Sequence, residues 1–158
     1  MNPGSIIYYL SLGSNMGDRL FHLEKALEFL ETIGQVIRKS SIVETEPVGM
    51  APGTERFLNM AVEMDSHLRP EKLLNEIKRF EKEMGRDIEH SHNLPRVIDI
   101  DILMAGDWVI QTESLTIPHK EMANRLFVLE PLNEIAPELI HPVLKKTIHR
   151  LLYEKNTI

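Results

Sequence analysis

The chain has no cysteine, which removes disulfides, thiolate metal sites and thiol nucleophiles together and fits a reducing, cytoplasmic setting. It has no surplus of positive charge either. Acidic residues number 24 against 18 lysines and arginines, leaving a net charge of −6, the wrong sign for non-specific attraction to nucleic acid or an anionic membrane surface. No hydrophobic run approaches a membrane span, and the apolar stretch at 6–10 is too short for a signal-peptide core and has no basic residue before it. The single tryptophan, Trp108, makes no binding platform by itself. Neither Gly-x-x-x-x-Gly-Lys-Ser/Thr nor Gly-x-Gly-x-x-Gly occurs, so any phosphate must be held by side chains rather than by a glycine-rich loop. What remains is an ordinary globular composition without repeats. At 158 residues the expectation is one domain spanning 1–158, with 1–5 as a disordered lead-in, a monomer with small-molecule partners.

Hydrophobic periodicity gives the order of elements. Residues 6–12, rich in β-branched and aromatic side chains, read as a strand that Gly13-Ser14-Asn15 ends in a turn. From Asp18, an N-cap residue type, Leu20, Leu23, Ala26, Leu27, Leu30 and Ile33 recur at helical spacing and stop at Gly34. Residues 35–43 read as a second strand, and 44–56, with Pro47, Gly49, Pro52 and Gly53, as a loop long enough to be functional. In a third strand at 57–64, Leu58, Met60, Val62 and Met64 share one face and Phe57, Asn59, Ala61 and Glu63 the other. Pro70 opens a second helix with an apolar stripe of Leu73, Leu74, Ile77, Phe80 and Met84, capped by Gly85. The polar stretch 86–94, carrying His90 and His92, lacks a period and reads as a second loop.

The fourth strand lies in Pro-Arg-Val-Ile-Asp-Ile-Asp-Ile-Leu-Met-Ala-Gly, residues 95–106. Alternation points Asp99 and Asp101 to one face and Ile98, Ile100 and Ile102 to the other. Two carboxylates about 6.5–7 Å apart along a strand repel each other and pack poorly. Either they are an incidental pair on a solvated face or they hold a cation, and spacing alone weighs the two readings equally. Magnesium is the first candidate, since it takes one or two carboxylates and completes its octahedron with water and phosphate. Arg96 adds a planar guanidinium able to grip phosphate oxygens. Arg86, His119 and Arg125 are further cations just outside the expected elements, each of which alone is more often a solvated surface residue. His22, His67, His141 and His149 read as surface or packing residues.

The order strand, helix, strand, strand, helix, strand is the split-βαβ plan, so the expected fold is α+β with a ferredoxin-like antiparallel sheet. A short strand at 108–110 is expected to form a hairpin with the Asp-bearing strand. Helical segments near 121–131 and 147–154 are expected to cover the sheet's other face, giving helices on both.

Four ordered stretches, Leu12-Gly13-Ser14-Asn15-Met16-Gly17-Asp18, Phe57-Leu58-Asn59, Pro95-Arg96-x-x-Asp99-x-Asp101, and Pro118-His119 with Asn124-Arg125, resemble the 6-hydroxymethyl-7,8-dihydropterin pyrophosphokinases of folate biosynthesis over nearly the whole chain. The resemblance implies a ferredoxin-like enzyme that moves pyrophosphate from ATP to the pterin hydroxymethyl group and leaves AMP. It implies that Asp99 and Asp101 hold two magnesium ions, that Arg86 and Arg96 neutralise the moving group, and that His119 and Arg125 bind ATP phosphates. The pterin would meet Thr45, Val48, Phe57, Asn59 and Phe127, where rings stack and an amide pairs with its edge. The chain departs from the family pattern just before Pro95, with Glu89, His90, His92, Asn93 and Leu94 in place of the usual basic, aromatic and small residues. Two other readings keep the fold: a magnesium-dependent phosphotransferase acting on a different alcohol, and a non-catalytic ligand-binding module.

Overall fold

The structure, a computed structural model, describes residues 4–45, 56–85 and 97–157. Val48, Arg86, Arg96, the histidines His90 and His92, and most of both expected loops lie outside these residues, as do residues 1–3 of the expected lead-in.

Strand β1 (Ile6–Ser14) is followed by helix α1 (Arg19–Ile33), strands β2 (Gln35–Lys39), β3 (Val43–Thr45) and β4 (Phe57–Ser66), helix α2 (Pro70–Met84) and strand β5 (Asp99–Ala105). The sheet runs β2-β4-β1-β5, with β3 also paired to β4, and every pairing is antiparallel. Merging β2 and β3 into one interrupted strand gives the split-βαβ order expected of a ferredoxin-like fold. Beyond it come β6 (Ile110–Gln111), β7 (Thr116–Ile117), a 3-10 turn at Met122–Asn124, α3 (Leu126–Ile135) and α4 (Ile148–Asn156). No helix among the described residues is long and apolar enough to cross a membrane.

Period-two alternation divides the core into two layers. Leu10, Leu12, Met60, Val62, Met64, Ile100 and Ile102 face α1 and α2, where Leu23, Leu30, Leu73 and Ile77 are buried and the Phe29 and Phe80 rings stack with centroids 4.4 Å apart. Tyr9, Ala61, Leu103 and Met104 face Val128, Leu129 and Leu132 of α3 and Ile148 and Leu151 of α4. Helices therefore cover both faces. A register shift opposite Tyr9 and Leu10 leaves Leu103 and Met104 on the same side, so the strand changes its alternation just past the aspartates.

Several boundaries differ from the sequence reading. Strand β1 continues through Gly13 and Ser14 instead of turning there. The second strand is broken at Ser40, whose hydroxyl accepts the Ala61 N–H at 2.9 Å and replaces a backbone acceptor of the ladder. Leu20, expected on the buried stripe of α1, is 49% exposed, and Phe29 takes a core place instead. The hairpin after Gly106 forms between β6 and β7, not with β5. The helix expected near 121–131 starts at Leu126 and runs through Pro131, with a separate 3-10 turn before it.

Asp18 caps α1 by accepting the Phe21 N–H at 3.1 Å, and Thr147 caps α4 through Arg150 N–H at 3.1 Å. The turn before α4 is built on His141, 6% exposed, whose Nδ1 accepts the N–H groups of Val143 and Leu144. Burial pushes its pKa below the ordinary histidine value. The unfolded chain then binds more protons, so this contribution to stability is complete above about pH 6.5 and is lost as pH falls through the lowered folded value. His141→Asn keeps an acceptor near Nδ1 and removes the titration. Urea midpoints of the variant are expected to fall less than those of the parent between about pH 7 and pH 5, His119 leaving a residual slope. Parallel pH curves for the two proteins would refute this.

Candidate active site

Strand β5 is the outer strand on its side of the sheet, and it is fastened to β1 with Gly13 opposite Asp99 and Ser11 opposite Asp101. Asp99 and Asp101 are half-buried, and between them Ile100 is buried against the α1/α2 layer. The outer side of the strand is held at two backbone points: the Ile100 N–H donates to Glu81 Oε2 at 2.7 Å, and the His119 N–H donates to the Leu103 carbonyl at 2.9 Å. The second of these bonds brings His119, at the end of the β7 segment, beside the acidic strand.

His119 Nδ1 accepts the Glu121 N–H at 3.1 Å, which leaves the proton of the neutral ring on Nε2. Its pKa is held below the ordinary value, first by burial and then by the positive charge of Arg125, with Asp99 and Glu121 acting in the opposite direction. The imidazole is therefore neutral at pH 7, a donor through Nε2–H. The same influences place Asp99, His119 and Arg125 in one electrostatic neighbourhood. The Arg125 guanidinium lies 5.8 Å from the centroid of the Phe127 ring, which is 37% exposed on the first turn of α3.

On the other side of Gly13 stands Asn59, paired with it across the sheet and only 4% exposed. Its Nδ2 donates to Thr45 Oγ1 at 2.8 Å, while a Cβ on residue 13 would stand 3.0 Å from its Oδ1 and 3.9 Å from the Phe57 ring. Glycine at 13 thus lets the Asn59 amide lie over the neighbouring strand. Asn59, Gly13 and Asp99 form one row, so about 10 Å of sheet, two interstrand spacings, separates the amide from the first carboxylate. Nearby, Arg19 ties α1 to the ends of β3 and β4 through Glu44 Oε2 at 3.0 Å and the Arg56 carbonyl at 2.7 Å.

The donor set suits magnesium. Two carboxylates on an open strand face offer hard oxygen ligands and leave room for water and phosphate, and among the described residues no group of three or more His, Cys, Asp or Glu forms a closed cage. Asp99 lies near His119 and Arg125, and Thr45 meets Phe57 across the sheet and Asn59 through a hydrogen bond, while the ring of Phe127 meets Arg125. The sequence reading missed Gly13 as a spacer, Glu81 at the strand edge, and Ser14, whose hydroxyl donates to the Val97 carbonyl at 2.5 Å. It also passed over Asn15, 2% exposed, whose side-chain amide has no hydrogen-bond partner among the described residues. The stretch at 12–18 singled out Gly13, Ser14 and Asn15 without giving their roles, and nothing in the sequence marked Glu81.

Fold and site together define a ferredoxin-like α+β protein with a pair of strand carboxylates and a buried amide on one sheet face. The family model for 7,8-dihydro-6-hydroxymethylpterin-pyrophosphokinase (HPPK) matches residues 9–137. The 2-amino-4-hydroxy-6-hydroxymethyldihydropteridine pyrophosphokinase of Aquifex aeolicus is 41% identical over 140 residues, covering 89% of this chain and 86% of that one. Folic acid synthesis protein FOL1 of Dictyostelium discoideum is 40% identical over 150 residues, but the match spans only 22% of its length. A solved structure of wild-type Plasmodium falciparum HPPK-DHPS with SDX-DHP superposes with a TM-score of 0.79 at 20% identity, over 95% of this chain and 44% of that one, a likeness of fold. The chain belongs to the 6-hydroxymethyl-7,8-dihydropterin pyrophosphokinase family.

Gly13→Ala is expected to displace the Asn59 amide and weaken its bond to Thr45 while the protein stays folded, because the methyl meets a side-chain atom rather than backbone. NMR of the Asn59 side-chain amide would show the shift; an unchanged signal would mean that Gly13 has no spacing role.

Proposed function

We propose that the chain transfers the terminal pyrophosphoryl group of ATP to the hydroxymethyl oxygen of 6-hydroxymethyl-7,8-dihydropterin, in folate biosynthesis. The alcohol oxygen bonds to the β-phosphorus and gives up its proton to solvent, the bond from that phosphorus to the oxygen shared with the α-phosphorus breaks, and AMP leaves with that oxygen. The observation that supports the reading, beside family membership, is the Asn59–Gly13–Asp99 row, in which a hydrogen-bonding amide and an acidic edge share one sheet face.

In this reading Asp99 and Asp101 hold two magnesium ions. Magnesium supplies neutralisation of the ATP phosphates, the main requirement of phosphoryl transfer, in which positioning and electrostatics outweigh covalent chemistry. The neutral His119 donates from Nε2 and Arg125 from its guanidinium to the nucleotide phosphates. Asn59, steadied by Thr45, presents its remaining amide atoms to the pterin edge, Val48 lines the pocket, and Phe57 and Phe127 stack on its faces. Arg86 and Arg96 balance the charge of the group in transit. The protein acts as a single cytoplasmic domain and as a monomer.

The deciding experiment is product analysis. AMP should appear from ATP only when the pterin alcohol is present; ADP as the product, or turnover indifferent to the alcohol, would overturn the proposal. Asp99→Ala and Asp101→Ala should each reduce turnover to background while melting cooperatively, since removing one of two facing carboxylates relieves repulsion. Asn59→Ala and Phe127→Ala should weaken pterin binding by about 1–3 kcal/mol each, on the scale of stacking and pairing energies elsewhere, and leave ATP binding nearly unchanged in calorimetry. Equal losses for both ligands would displace the pocket.

A further inference from the structure

Among the described residues, the strand that carries the aspartates has no neighbouring strand on its outer side. In an antiparallel strand the N–H and C=O of one residue point the same way and those of the next residue the other way. Because the Ile100 N–H points outward to Glu81, the backbones of Asp99 and Asp101 turn inward to Gly13 and Ser11. Each aspartate is thus fastened on the β1 side, and the peptide between them is fastened by a carboxylate from α2. Glu81 stands four residues after Ile77, which is buried against the same Ile100-bearing layer, so helix packing sets the height of its side chain. As a charged acceptor, Glu81 makes a shorter and stronger bond to the Ile100 N–H than a neutral group would.

We propose that Glu81 is a positioning residue: by gripping the Ile100 amide it fixes the spacing and height of Asp99 and Asp101, so that the two carboxylates meet the magnesium–nucleotide complex already aligned. Glu81 reaches the strand from α2, which packs on the face opposite to the aspartates. This rests on the reading of Asp99 and Asp101 as magnesium ligands.

The test compares Glu81→Met, which keeps the bulk and removes the acceptor, with Glu81→Gln, which keeps an acceptor oxygen and removes the charge. In the metal-free protein, the Ile100 amide should exchange with solvent about tenfold or more faster in Glu81→Met, as expected for losing a bond to a charged acceptor, beyond any change in global unfolding. The magnesium concentration that half-saturates ATP binding should rise by about the same factor, and pterin affinity should not move. Glu81→Gln should stay within about threefold of the parent in both readouts, a neutral acceptor retaining most of the positioning. Unchanged Ile100 exchange in Glu81→Met overturns the proposal. So does a Gln variant with a protected Ile100 amide and a raised magnesium requirement, since charge and not the grip would then be at work; this arm decides the matter if the Met variant does not fold. Asp101→Asn in parallel separates the levels. If that variant binds ATP with the parent's magnesium dependence, the metal reading itself fails. If it responds as expected while Glu81→Met keeps the parent's dependence, only the role of Glu81 falls.

Discussion

An edge strand that alternates aspartate with isoleucine is the constraint on which this structure turns. Ile98, Ile100 and Ile102 are buried in the α1/α2 layer, and that burial, at about 1.5–3 kcal/mol for each side chain, compels Asp99 and Asp101 to the opposite face. The carboxylates do not choose their place; their neighbours do. A slip of one residue would bury both acids and expose the isoleucines, so the same hydrophobic register that stabilises the sheet also secures the acidic edge. The bulge at Leu103 then returns the strand to apolar packing, Leu103 and Met104 both joining the α3/α4 layer. The acidic surface ends within two residues.

The remaining groups are brought to that edge by backbone geometry rather than by side-chain attraction. His119 arrives because its N–H bonds to the Leu103 carbonyl, and Asn59 because its strand pairs with β1 at Gly13. Sheet pairing is rigid and regular, so residues from β3, β4, β1 and β5 keep fixed intervals of roughly one interstrand spacing. Arg19, Glu44 and Arg56 tie the start of α1 to the ends of β3 and β4.

Much of this was legible in the sequence because it depends on period. The alternation at 57–64 and 98–102 and the stripe of α2 are local signals, and the structure follows them. What was not legible depends on partners distant in sequence. The break at Ser40 arises from a hydroxyl bonding to Ala61, 21 residues away, which no local pattern announces. Alternation predicts a strand but not its neighbour, and so β6 was assigned to β5 when it pairs with β7. Leu20 shares the helical stripe yet stays exposed, because burial depends on which turns of α1 reach the sheet. The helix expected near 121–131 runs past Pro131 to Ile135: the missing N–H forfeits one bond, to the Phe127 carbonyl, and the buried ring packs in α3. At the site, residue types were readable and adjacency was not: Thr45 and Asn59 are 14 residues apart and share a hydrogen bond.

A net charge of −6 is at first sight a poor match for a protein that takes a polyanionic nucleotide. Location resolves it. Many of the acids are paired with bases on outer surfaces, as with Glu76 and Glu83 against Arg79 on α2 and Glu154 against Lys146 and Arg150 at α4. Such exposed pairs add little stability, but each cancels its own field within the Debye length of about 8 Å at physiological salt. The nucleotide would therefore feel the charges nearest to it. In the proposed reading, cations carried by the nucleotide would answer Asp99 and Asp101, the Arg125 guanidinium would meet the phosphates, and the neutral His119 would still donate from Nε2. Holding the imidazole neutral also avoids a second cation beside Arg125, whose repulsion already helps to lower the His119 pKa. In the proposed reading the site would balance a phosphate ligand with metal, guanidinium and a neutral donor, so the local charges and not the overall charge of the chain would decide whether it binds.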